Sequence, residues 1–314
     1  MRTHGFCRRS SLAYGRRLLV VLGFALIASR AWGADLPNKA DRNAQGATAE
    51  VPSEDIFGFT APTDVGNPGD LNFANENDGR LGKRGGGYRA LNGKFEFSKT
   101  LSDDLWLAGS FFGAFYRVRD VSGLNDVSQT AFDGLSFEVE RRVLRRSAGN
   151  PLAISLSVEP RWSRIDGVTG EISNSLSTAF KLFADAVVVP DKLFWGANLE
   201  WAPQRAQDPM AHGRWIDSSS TFASMALAVA LSPQVYIGVE TRYLSAFDGL
   251  WLNRNLGNAL YVGPTFLWRI TEKISINATF QPQVWGRASA SPGLNLDLDN
   301  FERAQFRAKL AVAL

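Results

Sequence analysis

Charged side chains of both signs recur at every second position along much of this 314-residue chain. They include Lys94 and Glu96; Glu138, Glu140 and Arg142; Glu159 and Arg161; Lys181 and Asp185; Glu200; Glu240 and Arg242; and Arg307 with Lys309. Two uses of such a set are chemically sensible. Opposite charges on adjacent strands can neutralise one another, each pair contributing roughly 0.2–1 kcal/mol. Alternatively, the charges can ring a hydrated pore and sort ions by sign. Proton-transfer catalysis is poorly provided for, because histidine is the usual base near neutral pH. Of the two histidines, His4 lies in the basic N-terminal stretch, which leaves His212 between Asp208 and Asp217 in an expected polar loop. A solvated loop is the expected reading there, and no enzyme activity is expected. Asp297, Asp299 and Asn300 carry oxygens of the kind calcium takes, but solvated loops carry the same residues; neither a metal nor another cofactor is expected.

The elements that must position these charges are strands. Leu152, Ile154, Leu156, Val158 and Trp162 alternate with Ser155, Ser157, Glu159, Arg161 and Ser163. The same period of two runs through Leu193–Trp201, Val235–Tyr243, Ile274–Val284 and Phe306–Leu314. One face of each segment is apolar and the other polar, as strands with a single apolar face require. Counting segments predicts about twelve strands, from near Leu71–Arg80 to near Glu302–Leu314. Pro160, Pro203, Pro264 and Pro282 interrupt the pattern and are expected at bulges or strand ends, since proline lacks a ladder N–H. The stretch from Trp106 to Val118 is apolar on both faces and leaves its register open.

Connections and aromatics point to a closed, transmembrane antiparallel β-barrel rather than a soluble sandwich. Short turns are expected near Ser102–Asp103, Ser147–Asn150, Pro190–Lys192, Ser232–Gln234 and Thr271–Lys273. Longer loops are expected near Leu81–Gly87, Val121–Thr130, Gly167–Glu171, Ala206–Asp217, Asp248–Gly257 and Ser289–Asn300. Short turns on one side and long loops on the other mark outer-membrane barrels. Trp106, Tyr116, Trp162, Trp195, Trp201, Tyr243 and Trp268 fall near strand ends and are expected to form the two interfacial aromatic girdles.

The N-terminus reads as an export signal. Five arginines between Arg2 and Arg17 precede an apolar run from Leu18 to Ala28, too short for a membrane helix of roughly 20 residues. Ala31 and Gly33 set a cleavage site before Ala34. The expected division is therefore 1–33 signal peptide, 34–68 periplasmic leader and 69–314 outer-membrane barrel. Losing six arginines and no acid takes the formal charge from +3 to about −3, which removes the argument for nucleic-acid binding. The single cysteine, Cys7, leaves with the signal, so no disulfide is expected.

A local pattern adds to this reading. Asp55-Ile56-Phe57-Gly58-Phe59-Thr60 is followed by Asp64-Val65-Gly66, then by Gly82-Lys83-Arg84. This resembles an uncharacterised family of proteobacterial outer-membrane β-barrel proteins, and the resemblance implies location and fold without a substrate or catalytic residues. Phe57 and Phe59 are expected to anchor the leader at the periplasmic mouth. The leading functional expectation is passive passage of small hydrophilic solutes, with the polar-face charges listing the pore wall. The rivals are a structural or anchoring barrel with a plugged lumen, its loop residues Trp215 and Trp251 meeting partners, and a disfavoured outer-membrane hydrolase. Expected partners are the lipid bilayer with lipopolysaccharide, the small solutes, and the outer-membrane assembly machinery acting on the C-terminal strand.

Overall fold

Period-two alternation becomes twelve antiparallel strands closed into a barrel in the computed structural model, which describes residues 56–147, 149–209 and 213–314. The first six are β1 (Leu71–Leu81), β2 (Gly85–Ser102), β3 (Leu105–Val121), β4 (Val127–Leu144), β5 (Leu152–Ile165) and β6 (Ile172–Val189). The rest are β7 (Leu193–Asp208), β8 (Arg214–Ser232), β9 (Val235–Asp248), β10 (Arg254–Arg269), β11 (Ile274–Ala288) and β12 (Ala304–Ala313). Each strand pairs with its sequence neighbour, and β1 closes on β12 from Asn72↔Ala313 to Leu81↔Ala304. Closure leaves no edge strand with unpaired backbone groups. The expected signal peptide and the first part of the expected leader lie outside the described residues.

The barrel is apolar outside and polar inside. Phe95, Phe111, Leu135, Leu156, Leu227 and Phe266 are exposed on the outer wall. Glu138, Asp185, Asn198, Glu240, Arg242 and Gln281 are buried on the inner one. Leu71 and Leu314 meet at one end, here the near end; the opposite rim is the far end. Connections at the near end are 103–104, 145–151, 190–192, 233–234 and 270–273. Those at the far end are 82–84, 122–126, 166–171, 209–213, 249–253 and 289–303. The expected contrast in length is therefore mostly absent. Strands run on into segments expected as loops, including 127–130, 206–208, 214–217 and 254–257, because cross-strand pairing satisfies their backbone there. Only 289–303 is long, and it folds inward.

The four prolines correct a second expectation. All lie within strands, where each keeps one neighbour and interrupts the other. Pro160 pairs with Thr178 on β6 while the β4–β5 ladder breaks between Arg161 and Val158. Pro203 pairs with Ser219 on β8 while β6–β7 breaks between Gln204 and Trp201. Pro264 and Pro282 flank a shared break in β10–β11 while pairing with Val239 and Ala304. One missing N–H costs one ladder, not the strand.

At the closing seam Gly79 lies opposite Phe306, whose ring occupies the space a Cβ would take. An aromatic ring laid over a strand glycine restores the contact area the glycine lacks. Gly79→Leu is expected to force that ring aside and destabilise the barrel by about 1–3 kcal/mol. A lowered urea midpoint in detergent is the readout, and an unchanged midpoint would show the seam repacks freely.

Candidate functional site

The lumen is occupied by the chain itself. The segment from Ile56 to Gly66 precedes β1 and lies inside the near half of the barrel, with residues 67–69 exposed at the rim, so the stretch expected as a leader up to residue 68 is in part a lumen segment. Backbone groups there have no strand partner of their own, so the inner wall supplies them. The buried Glu240 carboxylate accepts from the Phe59 and Thr60 N–H groups at 2.9 and 2.5 Å. Asp185 accepts from Thr63 N at 2.6 Å and from its hydroxyl at 2.9 Å. Asn277 donates to Phe57 O at 2.6 Å, and Ser155 donates to Thr63 O at 3.1 Å. The Asn198 amide brackets the Ala61 peptide at 2.8 and 2.7 Å. Strands β5, β6, β7, β9 and β11 thus hold one short peptide.

Side chains complete the fit. Phe57 is 1% exposed and packs near the near-end turns with Val187, Phe194, Tyr236 and Leu267. Its ring lies where a Cβ on Gly196 would be, 2.5 Å away, so the wall is glycine at the one point the ring needs room. Phe59 sits deeper, its ring centroid 3.4 Å from the Arg242 guanidinium carbon and 4.4 Å from that of Arg307. A ring between two guanidiniums is favoured by its quadrupole. Val65 packs on Trp106 and Ala108.

Beyond this segment a cavity of about 680 Å³ remains, reaching the far-end connections at Gly167 and Phe301. On one wall Lys181 bridges Glu138 at 2.9 Å and Glu159 at 2.5 Å, and Arg161 meets Asp133 at 2.5 Å. On the other, Arg307 holds Asp78 at 2.7 Å and Glu76 at 3.0 Å, and Lys94 meets Glu96 at 2.5 Å. Mixed charge lines the passage, with most formal charges in contact with an opposite one. Far-end connections narrow the mouth: Arg80 and Tyr116 donate to Gly167 O, and Tyr88 donates to Val168 O. From the other side, Tyr261 donates to Glu302 O. Lys83 donates to Asp299 O and Phe301 O, and burial pushes its ammonium below the usual lysine range.

Of the charges picked from sequence, Lys94, Glu96, Glu138, Glu140, Glu159 and Arg161 border the cavity. So do Lys181, Glu200, Arg242, Arg307 and Lys309. Glu240 lies beneath the inserted segment, and Arg142 sits lower, 3.5 Å from Asp64 and 3.6 Å from Asp104. Trp162, Trp195, Trp201, Tyr243 and Trp268 share the outer face, where Trp201 stacks on Phe180 at 5.3 Å. Trp106 and Tyr116 are corrected: both point inward and are buried, at 9% and 1% exposure, because the inserted segment and the connection at 166–171 give them apolar and polar partners there. Missed in sequence were Glu76, Asp78 and Arg80, which show the same alternation on β1, and Asp133. A register shift opposite Phe112 and Gly113 turns Asp133 inward out of phase with Glu138.

Asp297 is buried and spends its carboxylate on the N–H groups of Asp299 and Asn300 and on the Asn300 amide. Among the described residues no cluster of three metal-ligating side chains occurs. His212 lies outside the described residues.

An apolar outer wall, a closed twelve-stranded antiparallel ladder and a charged lumen define a β-barrel of inverted polarity. The chain belongs to DUF6662, a family of unknown function whose model matches residues 49–314. No curated protein matches the sequence. Among solved structures it is similar to the COG4313 outer membrane channel from Pseudomonas putida F1, at 12% identity. That match covers 80% of this chain and 98% of the other, with a TM-score of 0.54. The NanC porin matches at 10% identity over 77% of this chain and 100% of its own, with a TM-score of 0.47. The β-domain of the Bordetella autotransporter BrkA matches at 11% over 78% and 100%, also at 0.47. Likeness at these identities concerns the fold.

Proposed function

We propose that the protein is a channel of the bacterial outer membrane that passes small hydrophilic solutes through a lumen narrowed by its own N-terminal segment. The observation that carries this reading is the charged cavity of about 680 Å³ inside a wall whose outer face is apolar. An apolar exterior belongs in hydrocarbon, and a closed barrel is the β structure whose backbone is satisfied there. The near end, with both barrel termini, then faces the periplasm and the far end faces out. A cavity lined by paired ions favours small, hydrated, uncharged or zwitterionic solutes, because a lone charge gains little from a wall already neutralised. No catalytic role is assigned: Asp133, Glu138 and Glu159 are engaged with Arg161 and Lys181.

The inserted segment favours a second reading, a permanently plugged barrel with a structural role. Single-channel recording of the refolded protein separates the two. Small ohmic steps support the channel, while silence from protein shown to be folded supports the plug. Ion preference adds a sharper test. Lys181→Met removes the cation between Glu138 and Glu159, so cation selectivity is expected to rise by roughly threefold or more. An unchanged reversal potential in a salt gradient would place the current path elsewhere.

A further inference from the structure

The outer face carries a second pattern just beyond its apolar band at the far end. On four of the six odd-numbered strands, which run toward that end, arginine follows the last outward aromatic by one or two pleats. The instances are Phe115 then Arg117 and Arg119 on β3, Trp162 then Arg164 on β5, Trp201 then Arg205 on β7, and Trp285 then Arg287 on β11. All these arginines are exposed. Arg205 has a partner in Asp217 at 3.5 Å. Among the described residues, no carboxylate forms a salt bridge with Arg117, Arg119, Arg164 or Arg287.

The densest point is at β2–β3. Arg89 stands directly opposite Arg117, and Arg119 lies one pleat further, opposite Gly87. Arg89 is exposed and likewise lacks a carboxylate partner among the described residues. Ser128 of β4, also exposed, faces Arg117 from the other side. Like charges directly opposite one another destabilise a ladder. Three guanidiniums and a hydroxyl converging on one small area instead suit a multiply charged oxyanion, which guanidinium binds through paired N–H donors. One pleat below, Leu91 faces Phe115, so the site sits at the boundary between apolar and polar surroundings. An anion held there with its apolar remainder beside Leu91 and Phe115 is a lipid.

We propose that Arg89, Arg117, Arg119 and Ser128 form a binding site for the phosphate headgroup of an anionic lipid in the outer leaflet, with Arg164 and Arg287 extending the same belt around the barrel. This rests on the outer-membrane reading of the fold. The occupant is a phosphorylated lipid rather than a soluble anion, because the site opens sideways above the apolar band and not into the lumen.

The experiment uses the refolded protein in a nonionic detergent, with native mass spectrometry counting bound lipid. The probes are bis-phosphorylated lipid A, dephosphorylated lipid A and inorganic phosphate. The wild type is expected to retain the phosphorylated form. A variant with Arg89, Arg117 and Arg119 all changed to Ser is expected to lose roughly tenfold or more in apparent affinity. A control with Lys99, Arg141 and Lys192 changed to Ser, removing three charges at the near end, is expected to bind as the wild type does. Equal binding of both lipid A forms, or equal loss in the near-end control, overturns the site. Displacement of the lipid by millimolar inorganic phosphate overturns the lipid as occupant. Insertion of each protein into phosphatidylcholine vesicles is scored separately: failure there sinks the membrane reading, whereas insertion without selective lipid A binding sinks only this site.

Discussion

Deleting residues 56–66 is expected to raise single-channel conductance by at least roughly threefold, because it removes the chain that fills the near half of the lumen, in a barrel with more strands than the eight whose side chains fill it. The deletion removes the peptide held by Glu240, Asp185, Asn198 and Asn277 and leaves Gly69 on Thr100 O at 2.9 Å to start β1 in place. A subtler variant keeps the chain length. Gly196→Leu puts a side chain where the Phe57 ring lies, so the ring must leave its pocket among Phe194, Tyr236 and Leu267. Conductance between that of the wild type and the deletion, with frequent transitions, is the expected record. Equal conductance in all three proteins would show that the segment is not the constriction.

Arg146→Leu is expected to destabilise the barrel by about 3–5 kcal/mol, the cost of stranding a buried charge. Arg146 forms an ion pair with Asp185, which is fully buried and also carries Thr63. Without the guanidinium the carboxylate keeps only its Thr63 donors. The second change Asp185→Leu is expected to recover most of the loss, since an apolar pair of similar volume often replaces a buried ion pair without penalty. Denaturant midpoints of the single and double variants in detergent check this. A double variant no more stable than Arg146→Leu alone would mean that Asp185 matters chiefly as the anchor of Thr63.

Those two sites differ in how far the sequence announced them. Strand number, closure and the inward face of β5, β7 and β9 were legible because alternation is local, and one polar face repeats in each. Register in β3 was not. Trp106, Ala108, Phe112, Ala114, Tyr116 and Val118 face inward although apolar or aromatic, and their counterparts Phe111 and Phe115 face outward. Two apolar faces become intelligible only when the partners inside are known. These are Val65 of the inserted segment and Ile165 beside the far-end connection. Such partners are distant in sequence, and no periodicity encodes them. Asp133 was hidden for a similar reason, since a register shift changes which parity faces inward. The prolines misled because the rule they obey concerns one ladder at a time, and a strand inside a barrel has two.

The inserted segment also constrains time. It comes before every strand, yet its bonds reach β2, β5, β6, β7, β8, β9 and β11, and the Phe59 ring lies against Arg242 of β9 and Arg307 of β12. Its full set of partners exists only after the last strand has been made. The segment is thus made first and completed last: the stretch that opens the fold has its contacts whole only when β12, the final strand, is present.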